Sequence, residues 1–176
     1  MSKLLLYPII VSCLSLFIYF LVKKSISSAV NNYCAFCTTM VLERQKFYED
    51  DRIIALYTYK PILPGHCLII PKRHIERFEE LTDEEIMQMG QVIKKVNQAA
   101  KQVFKTSSYI LLQKNGLEVG QSVPHVHFHY VPRVSEDNSM LKLLLKLYIT
   151  NLKKPLPTEK LYHFTNMMKE AIEEAE

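Results

Sequence analysis

Leu4 to Val22 is a run of 19 residues without a charge, and Lys23 and Lys24 come immediately after it. As a helix it would measure about 28 Å, close to the hydrocarbon thickness of a bilayer. The pattern predicts a membrane anchor over 1–24, with Tyr7 and Tyr19 near the two interfaces. Two readings compete: a signal peptide cut near Ser27, Ser28 and Ala29, and an upstream start codon that appends foreign residues. The run is longer than a usual signal core, and the lysine pair opposes export of the downstream chain. The expectation is therefore an anchored protein with its main domain facing the cytoplasm, or a cytoplasmic one if the N-terminus is cleaved or mis-started.

A polar link over 25–32 leads to a region of short apolar runs. Ile53 to Tyr57 reads as a buried strand, Pro61, Pro64 and Gly65 break the chain, and a second strand runs up to Pro71. The tight connection suggests an antiparallel pair. Thr82 and Glu85 form a capping-box pattern, after which Ile86, Met89, Ile93, Val96, Ala100 and Val103 recur at helical spacing. Ser108 to Gln113 is a further strand. In His125-Val126-His127-Phe128-His129 the alternation of imidazole and apolar residues predicts a half-buried strand with all three histidines on one face. Strands, one helix and more strands, without βαβ alternation, give an α+β class with an antiparallel sheet. Beyond Arg133, Met140 to Leu152 and Glu159 to Ala175 read as helices. Leu141, Leu144, Leu145 and Tyr148 form an apolar stripe bracketed by Lys142, Lys146, Lys153 and Lys154. Packing of that stripe on the domain or on a partner copy is the preferred expectation, and a membrane surface is the alternative.

The 176 residues, 48% hydrophobic and 23% charged, suit one globular domain with appendages. A net charge of +4, from 22 basic and 18 acidic residues mostly interspersed, gives no nucleic-acid surface and favours small anionic ligands. Of Cys13, Cys34, Cys37 and Cys67, only Cys34 and Cys37 form a CxxC pair, in no disulfide-scaffold pattern. A structural metal, a redox dithiol and incidental thiols all remain open, the metal preferred.

On one strand, His125 and His129 would lie about 13 Å apart, so one metal could not take all three histidines. A neutral imidazole is a nucleophile near pH 7, provided its other ring nitrogen donates to a carbonyl or a second imidazole. His66 is a candidate for that support, or simply a partly buried histidine. Gly116 and Gly120 allow close backbone approach, and Gln121 and Ser122 could donate to phosphate oxygens. Ser122 lacks the GxSxG elbow of a serine nucleophile.

The segment HVHFHYV, with NG…GQSV before it and PR after it, resembles the signature of the histidine triad (HIT) superfamily. YCAFC, YEDDRIIAL, PGHCLIIPKRHI and LTDEE are similar to the rest of such a domain in the same order. The resemblance covers 33–134 and leaves 135–176 as a C-terminal helical tail. It implies about five strands with one long helix. It also implies hydrolysis or transfer at the α-phosphorus of nucleoside phosphoramidates, dinucleoside polyphosphates or nucleotidylated adducts, through a covalent nucleotidyl-histidine on His127. His129 and His66 would complete the catalytic group. Asn115, Gln121, Ser122, His129 and Thr58 would bind nucleotide or phosphate. The CxxC-type members imply one structural zinc per chain on Cys34, Cys37, His74 and His125, with no catalytic metal. A homodimer is expected on the same grounds, and Cys67 has no role.

Thr58 stands where the family usually has Asp or Asn, which weakens the expected grip on ribose. Val119 occupies a place that is usually small. A membrane-tethered nucleotide-binding module with little turnover is therefore the alternative function, and a scaffold whose histidines all hold metal is a third.

Overall fold

The computed structural model describes Ser15, residues 34–133 and residues 139–175, the side chains of Met140, Tyr148 and Asn151 excepted. Apart from Ser15, the expected anchor over 4–22 lies outside the described residues. Among the described residues no helix is long and apolar enough to cross a membrane.

Five antiparallel strands form one sheet: β1 (Lys46–Glu49), β2 (Ile53–Tyr57), β3 (Cys67–Pro71), β4 (Ser108–Gln113) and β5 (Phe128–Arg133), in the order β1-β2-β3-β5-β4. β2 and β3 are buried on both faces, hence their unbroken apolar runs. On one face Ile53, Ala55, Tyr57, Cys67, Ile69 and Tyr130 meet two helices. The helix after β3 supplies Met89, Val92, Val96, Ala99 and Ala100, and the last helix supplies Leu161, Met168, Ala171 and Ile172. The C-terminal helix is thus part of the main core.

Four helices are present among the described residues: α1 (Thr39–Gln45), α2 (Asp83–Phe104), α3 (Met140–Ile149) and α4 (Thr158–Glu173). α2 starts at the expected capping box, where Glu85 N–H donates to Thr82 Oγ1 at 3.2 Å and Thr82 N–H donates to Glu85 Oε2 at 2.9 Å. Its inward face is rotated from the expected one. Val92 and Ala99 are buried, Ile93 and Val103 sit at the edge, and Ile86 is exposed.

The opposite face of the sheet carries Ile54, Leu56, Leu68 and Ile70 under Phe36, Val41 and Leu42, and continues through His129 and Val131. There α3 covers Val131 and Ile62 with Leu143, Leu147 packing alongside. The leucine stripe does not pack on its own domain: Leu141, Leu144 and Leu145 point outward, while Leu143 and Leu147 pack.

The histidine strand is also shorter than its alternation suggests. β5 begins at Phe128, so only His129 of the three lies in the ladder. Upstream of it, Val126 N–H donates to Ile75 O at 2.7 Å instead of to a strand, and Pro124 supplies no N–H. The alternation persists outside the sheet, since Val126 and Tyr130 are buried in the core and Phe128 packs against it.

Candidate functional site

Where β3 and β5 meet, a cavity opens between the sheet, the turn over 35–37, the loop over 114–123 and α3. Its lining includes Thr58, His66, Ser122, His127 and His129, brought together from four segments. Thr58 is buried and fixed by its backbone, whose N–H donates to His66 O at 3.2 Å.

The hydrogen-bond partners determine which nitrogen of each ring carries the proton. His127 Nδ1 lies 2.7 Å from His125 O, an acceptor only, so Nδ1 is the donor and Nε2 keeps the lone pair. Ile62 N–H, a donor only, points to His66 Nδ1 at 3.2 Å. The His66 proton therefore sits on Nε2 and is donated to His129 Nδ1 at 2.9 Å. His129 in turn carries its own proton on Nε2. The sequence left open whether His66 or a carbonyl supports the nucleophile candidate; the carbonyl of His125 does, and His66 orients His129 instead.

Burial keeps these rings neutral. Desolvation, with the His127 charge second, lowers His66 to about 3. Desolvation, then His66, His127 and Lys114, lowers His129 far below the usual histidine value. His127 is lowered by desolvation and by Lys114, against the opposing bond to His125 O. The rings of His127 and His129 lie edge to face, with centroids 4.9 Å apart.

Behind the cavity a second cluster forms. Cys34, Cys37, His74 and His125 place one ligand atom each within 4.8 Å of all the others. His125 Nδ1 lies 3.3 Å from Cys34 Sγ and 3.7 Å from Cys37 Sγ, and His74 Nδ1 lies 3.4 Å from Cys37 Sγ. Tetrahedral zinc with ordinary bond lengths separates sulfur and nitrogen ligands by about 3.6 Å, so the donor set fits that ion. His125 Nε2 donates to Pro71 O at 2.9 Å, leaving Nδ1 free of a proton as a ligand requires. Burial, with a hydrogen bond to Cys37 second, raises the Cys34 thiol to about 11, so a cation here has a proton to displace.

Asn115 and Gln121 lie elsewhere. Asn115 accepts from Phe78 N–H at 2.9 Å and donates to Glu79 at 2.7 Å, which pins the loop to the 78–80 turn. Gln121 accepts from Gly116 N–H at 2.6 Å and donates to Glu76 O at 2.8 Å. Both side-chain amides are used to shape the loop and are not among the groups lining the cavity. Val119 is exposed and does not narrow it. Cys67 is buried in the core and donates to Gly65 O at 3.2 Å.

Among the lining residues that the sequence did not single out are Phe36, Lys60 and Lys114. The Phe36 ring stands 5.3 Å from that of His127 and 5.8 Å from that of His125. Lys60 and Lys114 continue the period-two faces of β2 and β4, through Leu56 and Thr58 and through Leu112. Extending each alternation past its strand end would have found both; Phe36, between two cysteines, carries no such signal.

With this geometry in view, the comparisons with known proteins agree. The bis(5'-nucleosyl)-tetraphosphatase [asymmetrical] of Schizosaccharomyces pombe is 40% identical over 54% of this chain and 52% of its own length, so the chain spans about half of that relative. An uncharacterized HIT-like protein of Methanocaldococcus jannaschii is 34% identical over 62% of this chain and 85% of its own length. The crystal structure of a hypothetical histidine triad nucleotide-binding protein from Sulfolobus tokodaii superposes with a TM-score of 0.63 at 26% identity, over 80% of this chain and 93% of that one. The HIT domain model matches residues 39–136, and the chain belongs to the HIT family.

Proposed function

We propose that this protein is a nucleotide hydrolase in which His127 attacks the α-phosphorus of a dinucleoside polyphosphate or a related nucleotidyl substrate. The observation that carries this reading is the bond from His127 Nδ1–H to His125 O, which leaves a lone pair on Nε2 of a neutral ring lining the cavity. In-line attack forms an N–P bond while the P–O bond to the leaving group breaks and its electron pair stays on the departing oxygen. His129, held by His66 with its Nε2 proton free to donate, supports the phosphoryl or leaving oxygen. Water then attacks the same phosphorus, the N–P pair returns to His127, and the nucleoside monophosphate leaves.

The charge of the cavity favours the polyphosphate class. Lys60 and Lys114 line it, and among the described residues no carboxylate does. Phe36 offers an aromatic wall to a base. Thr58 can give ribose one hydroxyl contact. The S. pombe relative, by its name, acts on a bis(5'-nucleosyl) tetraphosphate, which agrees with this charge. Zinc held by Cys34, Cys37, His74 and His125 would be structural, because four protein ligands leave no open position. It would brace the carbonyl that orients His127.

We further propose that the protein works as a homodimer. Residues 4–22 would tether the domain on the cytoplasmic side of a membrane. Intact mass after rapid mixing with a dinucleoside tetraphosphate tests the chemistry. One nucleotidyl group should add to the parent chain and none to His127→Asn, which should also lose turnover. Full turnover by His127→Asn would end the assignment.

A further inference from the structure

α3 is apolar on two opposite sides. Leu143 and Leu147 pack inward on Ile62 and Val131, while Leu141, Leu144, Leu145 and, in the turn at its C-terminal end, Leu152 are exposed by 67, 56, 55 and 70%. A surface helix needs only the first set for its own stability, and the second leaves a contiguous leucine stripe in water. Charge identifies what would cover it. From Ser139 to Thr158 there are four lysines and no aspartate or glutamate. Lys142 lies beside the stripe on the helix, and Lys153 and Lys154 extend from its end, all three exposed. Leucines flanked by lysines along one edge match the boundary between acyl chains and anionic headgroups.

The first described turn of the domain lies across the cavity from the inner side of α3. Ala35 and Phe36, at the first described end of the domain, line the same cavity as Leu147 and Thr150 on the α3 side. The uncharged run ending at Val22 is separated from Cys34 by 11 residues, a link that reaches at most about 42 Å.

We propose that the outer face of α3 lies on an anionic membrane surface, with Leu141, Leu144, Leu145 and Leu152 entering the headgroup boundary and the lysines reaching phosphates and carboxylates. Each lysine near such a surface strengthens the contact about fivefold.

Hydrogen–deuterium exchange of the full chain tests this on phosphatidylcholine vesicles with and without about 30% phosphatidylserine. Amides over 140–152 should exchange about tenfold more slowly on the anionic vesicles. The protection should vanish in about 0.5 M salt, where charges are screened beyond roughly 4 Å. It should also vanish in Lys142→Gln/Lys153→Gln/Lys154→Gln and in Leu144→Gln/Leu145→Gln, whose altered side chains are exposed. Unchanged exchange in α2 would show that the variants keep the fold. Equal exchange on both vesicle types overturns the proposal. So does protection already complete without lipid, which would mean that a second copy or the 4–22 run covers the stripe.

Discussion

At the scale of single residues, the site depends on three main-chain groups that hold imidazole protons in place: His125 O, Ile62 N–H and Pro71 O. Removing His66 leaves His129 free to rotate and to change tautomer. His66→Ala should therefore lower kcat roughly 10- to 100-fold with little change in KM, read from steady-state kinetics on a dinucleoside polyphosphate. Lys114→Gln should raise KM for that substrate about tenfold and affect a phosphoramidate less, because a polyphosphate chain offers more charge to the ammonium. Equal losses on both substrates would remove Lys114 from phosphate recognition. The histidine row was legible from spacing, and the full set of four metal-binding candidates only from the family resemblance. The proton positions were not, because they depend on main-chain groups of Ile62 and Pro71, whose side chains carry no sign of that role.

Among the elements, the connection between β2 and β3 has the least freedom. Gly65 has φ +84°, and a Cβ there would lie 2.5 Å from Pro132 Cγ and 2.8 Å from Phe104 Cδ2. Gly65→Ala should cost about 3 kcal/mol or more and lower the melting temperature by several degrees. A melting curve coincident with that of the parent would contradict this. The turn over 35–37 is held to the remote His74 and His125 by the thiol and imidazole cluster. Chelation should lower the melting temperature by on the order of 10 °C and release about one zinc per chain, measured by calorimetry and metal analysis. Zinc-free protein with an unchanged transition would exclude a structural ion. Strands β2 and β3 and helix α2 were legible because pattern and caps agree. β1 was not, since Lys46–Glu49 is a four-residue edge strand with charged ends. The true start of β5 was missed because alternation reports which way side chains face, and it continues where the backbone has left the ladder.

For the whole molecule, the two sheet edges differ. β1 has Lys46 and Glu49 at its ends, whereas β4 reads Ser-Tyr-Ile-Leu-Leu-Gln with no charge and leaves Tyr109 and Leu111 partly exposed. An uncharged, apolar edge is the one that a second copy would extend. Leu111→Lys should shift the protein from dimer to monomer at micromolar concentration, as read by sedimentation velocity; a monomeric parent would refute the homodimer. Stability should also depend on pH through His66. Its folded value, near 3, is below the ordinary 6.5, so the unfolded chain takes up the proton first as pH falls. That contribution is complete well above pH 6.5 and is lost progressively as pH falls toward 3, a loss on the order of 1 kcal/mol by pH 5.5. His66→Asn should flatten this slope in denaturant titrations.

The tautomer relay from Ile62 through His66 to His129 also has a direction, and the cavity inherits it. One ring presents an N–H and its neighbour presents a lone pair, 4.9 Å away between centroids. A guest is sorted by its electrons before its shape matters. It must bring an acceptor to His129 and an electron-poor atom to His127 in the same pose. A phosphoryl group satisfies both at once, whereas an alcohol can accept from His129 but offers His127 no electrophilic centre to attack.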